Sequence, residues 1–142
     1  MLELDQFLPY RLSLLSNQVS RGIAKTYADR YGLSVTAWRV LAVVGRYDGL
    51  TAKAVAERTA MDKVAVSRAI KRLCDQRYMQ RQPTRHDGRA QVLSLSARGQ
   101  SVYNAVVPAA LAYERDLLQH LTAAERKQFD ALIGRLLAAS AD

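Results

Sequence analysis

One cysteine, Cys74, stands in 142 residues, so no internal disulfide framework can form and a reducing cytoplasm suits the chain. A lone thiol fits either a packing role or a redox sensor, and its place late in a basic helix favours packing. Histidine is nearly as scarce: His86 and His120 are far apart, and neither sits in a His-Glu-x-x-His or a paired Cys-x-x-Cys. Zinc chemistry and a nucleophile–base triad therefore have no residues to rest on. Gly-x-Gly-x-x-Gly and phosphate-loop motifs are missing too, so neither an enzyme nor a cofactor or metal is expected. Long apolar runs are also lacking, since the longest, residues 40–44 and 105–112, cannot span a bilayer. Met1-Leu2-Glu3-Leu4-Asp5 has no basic stretch leading into an apolar one, so no signal peptide is expected.

Acidic residues are short as well: 13 against 21 Lys and Arg leave a net charge of +8. Such an excess favours a polyanionic partner, nucleic acid first and an anionic membrane surface second. Its location says more. From Asp62 to Arg98 nine basic residues face three acids, a net +6, whereas residues 99–142 net −1. The charge belongs to one module.

Helical periodicity runs through Leu4, Phe7, Leu8, Leu12, Leu15, Val19 and Ile23, predicting one long helix to about Tyr31, ended by Gly32. Ser34 caps the next, whose stripe reads Trp38, Leu41, Ala42 and Gly45. Asp48-Gly49 makes a turn, and Thr51 caps a short helix over residues 52–59 with Val55 inward. Asp62 caps a further helix with Val66, Ile70 and Leu73 at i, i+4 and i+7. Its outer and flanking faces then carry Lys63, Ala65, Ser67, Arg68, Lys71 and Arg72. A short helix, a tight turn and a second helix with a cationic outer face is a helix-turn-helix pattern.

Residues 78–82 and 91–95 read as strands joined through Asp87-Gly88, a dipeptide suited to hairpin turns, so the pattern becomes a winged one. Ser96 opens a long helix to about His120, with Pro108 inside it. Thr122 and Glu125 form a capping box for the last, whose apolar side is Phe129, Leu132, Ile133, Leu136 and Leu137. The fold class is therefore mainly α with a small β-hairpin wing. Residues 33–97 form the winged helix-turn-helix domain, and 1–32 with 98–142 a helical dimerisation region.

These residues resemble the multiple-antibiotic-resistance regulators (MarR family) of bacteria over nearly the whole length. Met61-Asp62-Lys63-Val64-Ala65-Val66-Ser67-Arg68 through Arg72-Leu73 carries the likeness, as does Asp87-Gly88-Arg89 followed by Leu93-Ser94-Leu95-Ser96-Ala97-Arg98-Gly99. Lys63, Val64 and Ala65 depart from it, standing where relatives often have proline and hydroxyl residues. The resemblance implies a homodimer on a pseudo-palindromic double-stranded DNA operator, usually repressing transcription. It also implies release by a small molecule, often a phenolic or aromatic acid.

Within that frame Ser67, Arg68 and Lys71 are the expected major-groove contacts, with the Arg68 fork matched to guanine O6 and N7. Lys53, Lys63, Arg81 and Arg85 are expected on phosphates, and Arg72 either there or paired with Asp75. Arg85 and Arg89 suit a minor groove, with Asp87 holding Arg89. His86 reads as a solvated loop residue before a pH sensor. Tyr10, Arg11, Tyr27, Tyr31, Trp38 and Arg39 gather where the family holds its ligand, so Arg11 or Arg39 could pair with the carboxylate of an aromatic acid or a phosphate of an acyl-CoA. The alternative is that these aromatics are core and the arginines solvated. A sequence-neutral architectural DNA binder and a protein-binding winged domain are the competing functions.

Overall fold

The computed structural model describes residues 1–84 and 90–141. It divides into two compact units, residues 1–109 and 110–142. In the first, a single 3-10 turn, Leu4–Gln6, precedes α1 (Leu8–Ala24), α2 (Ala28–Tyr31), α3 (Val35–Arg46), β1 (Leu50–Thr51), α4 (Ala52–Thr59), α5 (Lys63–Asp75), β2 (Met79–Pro83) and β3 (Gln91–Leu95). Helix α6 (Ala97–Leu118) leaves this unit just after Pro108, and α7 (Ala123–Ser140) belongs to the second.

The single long first helix expected from periodicity is interrupted twice. Phe7 is extended and Pro9 lies in the first turn of α1, where a missing N–H costs nothing. The chain breaks again at Lys25–Tyr27, where Thr26 turns its hydroxyl onto the Ile23 carbonyl at 2.7 Å. Tyr27 is driven into the core, 1% exposed, and stacks on Trp38 with ring centroids 5.5 Å apart. Burial raises the Tyr27 phenol above its ordinary pKa, against the lowering influence of Arg39.

The capping signals are realised. Ser34, Thr51 and Asp62 accept the amides of Ala37, Ala54 and Ala65 at 3.1, 3.2 and 3.0 Å. Gly32 ends α2 in the left-handed region at φ +66°, as its position predicted. On α3 the fully buried residues are Ala37, Val40, Leu41 and Val44, shifted from the expected stripe. The shift arises because α3 is embraced on more than one side. Trp38 meets Tyr27, and a Cβ on Gly45 would come within 2.6 Å of the Tyr103 ring of α6.

The sheet has three strands in the order β1-β3-β2, all antiparallel. Two residues are too few for periodicity to reveal β1, which pairs Leu50 with Leu93. Strand β2 starts one residue later than expected and ends at Pro83, tolerated because β2 is the sheet edge. The core unites Val55 of α4, Val66, Ile70 and Leu73 of α5, Leu93 of β3, and Val102 and Val106 of α6 with the buried face of α3.

In the second unit Thr122 and Glu125 close the expected capping box, at 3.1 and 2.8 Å. The hydrogen bonds from Thr122 hold the Glu125 carboxyl below its ordinary pKa. Arg126 Nε donates to the Leu118 carbonyl at 2.8 Å across the turn between α6 and α7.

Gly99 is where α6 docks. A Cβ there would collide with the Tyr78 carbonyl oxygen, a backbone atom with no rotamer to yield. Gly99→Ala is expected to destabilise the protein by about 1–3 kcal/mol, the cost of overpacking. A lowered urea midpoint with an unchanged slope checks it. An unchanged midpoint would contradict so close an approach.

Candidate nucleic-acid interface

Helix α5 presents its charge because its apolar residues are spent inward. Val66, Ala69, Ile70 and Leu73 are buried, which turns Lys63, Val64, Ser67, Arg68, Lys71 and Arg72 outward. Five of these, Lys63, Val64, Ser67, Arg68 and Lys71, line one shallow groove of about 360 Å³. Ala65 is half-buried, and its amide is engaged by the Asp62 cap. Arg72 is exposed outside that groove, and the ion pair with Asp75 is not formed. Among the described residues no carboxylate lies within ion-pair distance of the basic groups on α5. Bare cations on a rigid helix are arranged for an external anion.

A second basic recess adjoins α4 and the wing. Lys53 and Arg81 line it with Thr51, Ala52, Ala90, Gln91 and Leu93, enclosing about 500 Å³. Pairing of β2 with β3 carries Arg81 opposite Leu93, and β1 ties the same strand to the start of α4. The expected phosphate ligands Lys53 and Arg81 are thus brought together, while Lys63 belongs to the α5 groove. The hairpin tip Arg85-His86-Asp87-Gly88-Arg89 lies outside the described residues.

The expected effector residues are divided. Arg39 is half-buried and donates to Ser20 Oγ at 2.8 Å, linking α3 to α1, and Trp38 stacks on the buried Tyr27. Tyr10 and Arg11 lie on the exposed, leucine-rich side of α1. Tyr31 instead lines a cleft of about 310 Å³ with Arg30, Tyr78, Arg98, Ser101 and Val102. Arg98 sits 4.7 Å from the Tyr78 ring centroid and Arg30 sits 5.3 Å from that of Tyr31. Sequence reading missed this cleft, because residues 30, 78 and 98 meet only through tertiary packing. No group of three or more His, Cys, Asp or Glu among the described residues could hold a metal ion. No helix among them is long and apolar enough to cross a membrane.

Sequence and fold comparisons agree with this architecture. Residues 31–90, from the end of α2 into the wing, match the model of the MarR family. Over 103 residues the chain is 29% identical to the HTH-type transcriptional regulator SarZ of Staphylococcus epidermidis, covering 70% of each. A MarR/EmrR family transcriptional regulator from Acinetobacter sp. ADP1 superposes with a TM-score of 0.87 at 24% identity, over 97% of each chain. The Staphylococcus aureus MepR–DNA complex gives 0.83 at 18% identity, over 94% of this chain and 97% of that one. PcaV of Streptomyces coelicolor, solved in complex with its natural ligand, also gives 0.83, at 20% identity and 99% of each chain. In its matched winged segment and in the fold around it, the chain is similar to regulators of the MarR family.

Proposed function

We propose that this protein is a MarR-family transcription regulator, a homodimeric, sequence-specific repressor that binds a pseudo-palindromic operator and is released by a small aromatic acid or a related conjugate such as an acyl-CoA. The observation that carries the DNA-binding half is the α5 face, where four basic or hydroxyl side chains surround one groove and no carboxylate answers them. Arg68 is assigned to a guanine edge, with Ser67 and Lys71 beside it in the major groove and Ala65 close to the bases. Lys53, Lys63, Arg72 and Arg81 are assigned to phosphates. In the wing, Arg85 and Arg89 would take the minor groove or its phosphates, with Asp87 holding Arg89 in place.

Dimerisation is supported by apolar surface that a single chain leaves in water. Leu8, Leu12, Leu14 and Leu15 of α1 are 42–51% exposed, and Phe129, Leu132, Ile133, Leu136 and Leu137 of α7 are 41–64% exposed. Patches on this scale mark interaction surfaces. The proposed occupant is a second copy, which would set two α5 helices against one duplex and leave residues 33–97 as the reading module.

For release, the neighbours supply the precedent that PcaV is solved with its natural ligand. Tyr10, Arg11, Tyr31, Trp38 and Arg39 remain the proposed contacts, with the Arg39 guanidinium beside the Trp38–Tyr27 stack the best-held cation for a carboxylate. Trp38 is the sole tryptophan and so reports on its own site.

Competition between a selected duplex and random DNA tests the binding reading. The wild type should prefer its site by at least ~10³, and with roughly eight phosphates neutralised per dimer its salt slope should be about −7. Arg68→Ala should cost about 1–3 kcal/mol on that site and relax preference at one position per half-site. Equal affinity for random duplex, or a slope near −2, would contradict the reading. Benzoate tests release: it should quench Trp38 fluorescence as DNA dissociates, and Arg39→Gln should abolish both. Dissociation without quenching would move the effector elsewhere.

A further inference from the structure

Val64 is out of character with its surroundings. Large exposed hydrophobic residues of this chain fall in residues 1–15 and 111–137, the two ends assigned above to dimerisation. Between those stretches, among the described residues, Val64 is alone in the class, at 56% exposed. It stands in the first turn of α5, inside the groove formed by Lys63, Ser67, Arg68 and Lys71. Its backbone needs no β-branched residue there, since an exposed helical position favours alanine or a long polar side chain. Nor does it contribute to the hydrophobic core, whose α5 members are Val66, Ala69, Ile70 and Leu73.

An apolar side chain at the N-terminal end of a helix laid in the major groove meets one apolar group on the base edges, the thymine C5-methyl. Cytosine has only a C5–H there beside its N4 amino group, and adenine and guanine present polar edges, so each would lose the methyl contact and leave polar atoms to be desolvated without compensation against two valine methyls. Resting on the DNA-binding reading above, we propose that Val64 is a specificity-determining residue that selects thymine at one position of each half-site by packing on its C5-methyl, one or two base steps from the Arg68 guanine.

The test replaces, one at a time, each thymine of a duplex selected by the wild type with deoxyuridine, which deletes only the methyl group. Burial of a methyl group should be worth roughly fourfold in affinity at one position of each half-site, a single symmetric pair in the operator. Val64→Ala, which keeps the helix, should bind more weakly and lose sensitivity to uracil at that pair alone, while Arg68→Ala keeps it. Circular dichroism and affinity for random duplex should match the wild type, separating a reading defect from a folding one. Uracil substitution without effect anywhere in a duplex that is still bound specifically would overturn the role of Val64. So would uracil sensitivity that survives Val64→Ala unchanged. Failure of the wild type to select any sequence is a different result, because it would overturn the site-specific reading itself.

Discussion

The placement of the basic helix depends on one residue at its far end, Tyr78. Its amide donates to the Leu73 carbonyl at 2.9 Å while Arg77, at φ +64°, donates to Cys74 at 3.0 Å, closing α5 by a Schellman turn without glycine. Its carbonyl accepts the Ser96 amide at 3.1 Å and touches Gly99, so β3 and α6 register on the same atom. Its phenol donates to the Tyr31 carbonyl at 2.9 Å, and Gln76 reaches the Gly32 carbonyl at 3.1 Å. Three elements, α2, β3 and α6, are thereby indexed to the end of α5. Under the proposed role, α5 must be held rigidly for side chains such as Arg68 to meet base edges, and this junction would hold it from the buried side.

From that anchor the surface chemistry follows. Once Val66, Ala69, Ile70 and Leu73 are committed to the core, helical geometry leaves the cations nowhere but outward. Ion-pair partners would have neutralised them, but the acid nearest the start of α5 is occupied as a cap, with Asp62 accepting the Ala65 amide. Lys53 and Arg81 depend on a different device, the three-stranded sheet that holds the start of α4 against the wing strands.

Much of this was legible in the sequence because it is local. Ser34, Thr51, Asp62 and Thr122 announced their helices, and Val66, Ile70 and Leu73 their buried face. The interruption at Lys25–Tyr27 was not, because the apolar spacing continues through Ile23 and nothing local shows that Tyr27 turns inward to stack on Trp38. The displaced stripe of α3 and the two-residue β1 also escaped, being set by packing against α6 and by pairing with β3. At the candidate site, charge and spacing identified Lys63, Ser67, Arg68 and Lys71, while Val64, marked in the sequence only as a departure from the family pattern, gained its meaning from its exposure within their groove. The cleft of Arg30, Tyr31, Tyr78 and Arg98 required the fold itself.

Operator binding and the burial of exposed apolar faces are two requirements that one pairing would meet. If α5 is the reading helix proposed above, each copy offers only one, too small a contact for an operator, and each leaves leucine-rich helical faces in water. Pairing through those faces would fix two α5 helices at a set separation, so affinity should depend on the spacing of half-sites as well as on their sequence. Inserting about five base pairs between the half-sites of a selected duplex rotates one to the opposite side of the helix. Affinity should then fall to that for random DNA, and return when the insertion is about a full turn only if the paired helices can span it. Binding of undiminished strength to the half-turn duplex would contradict the pairing.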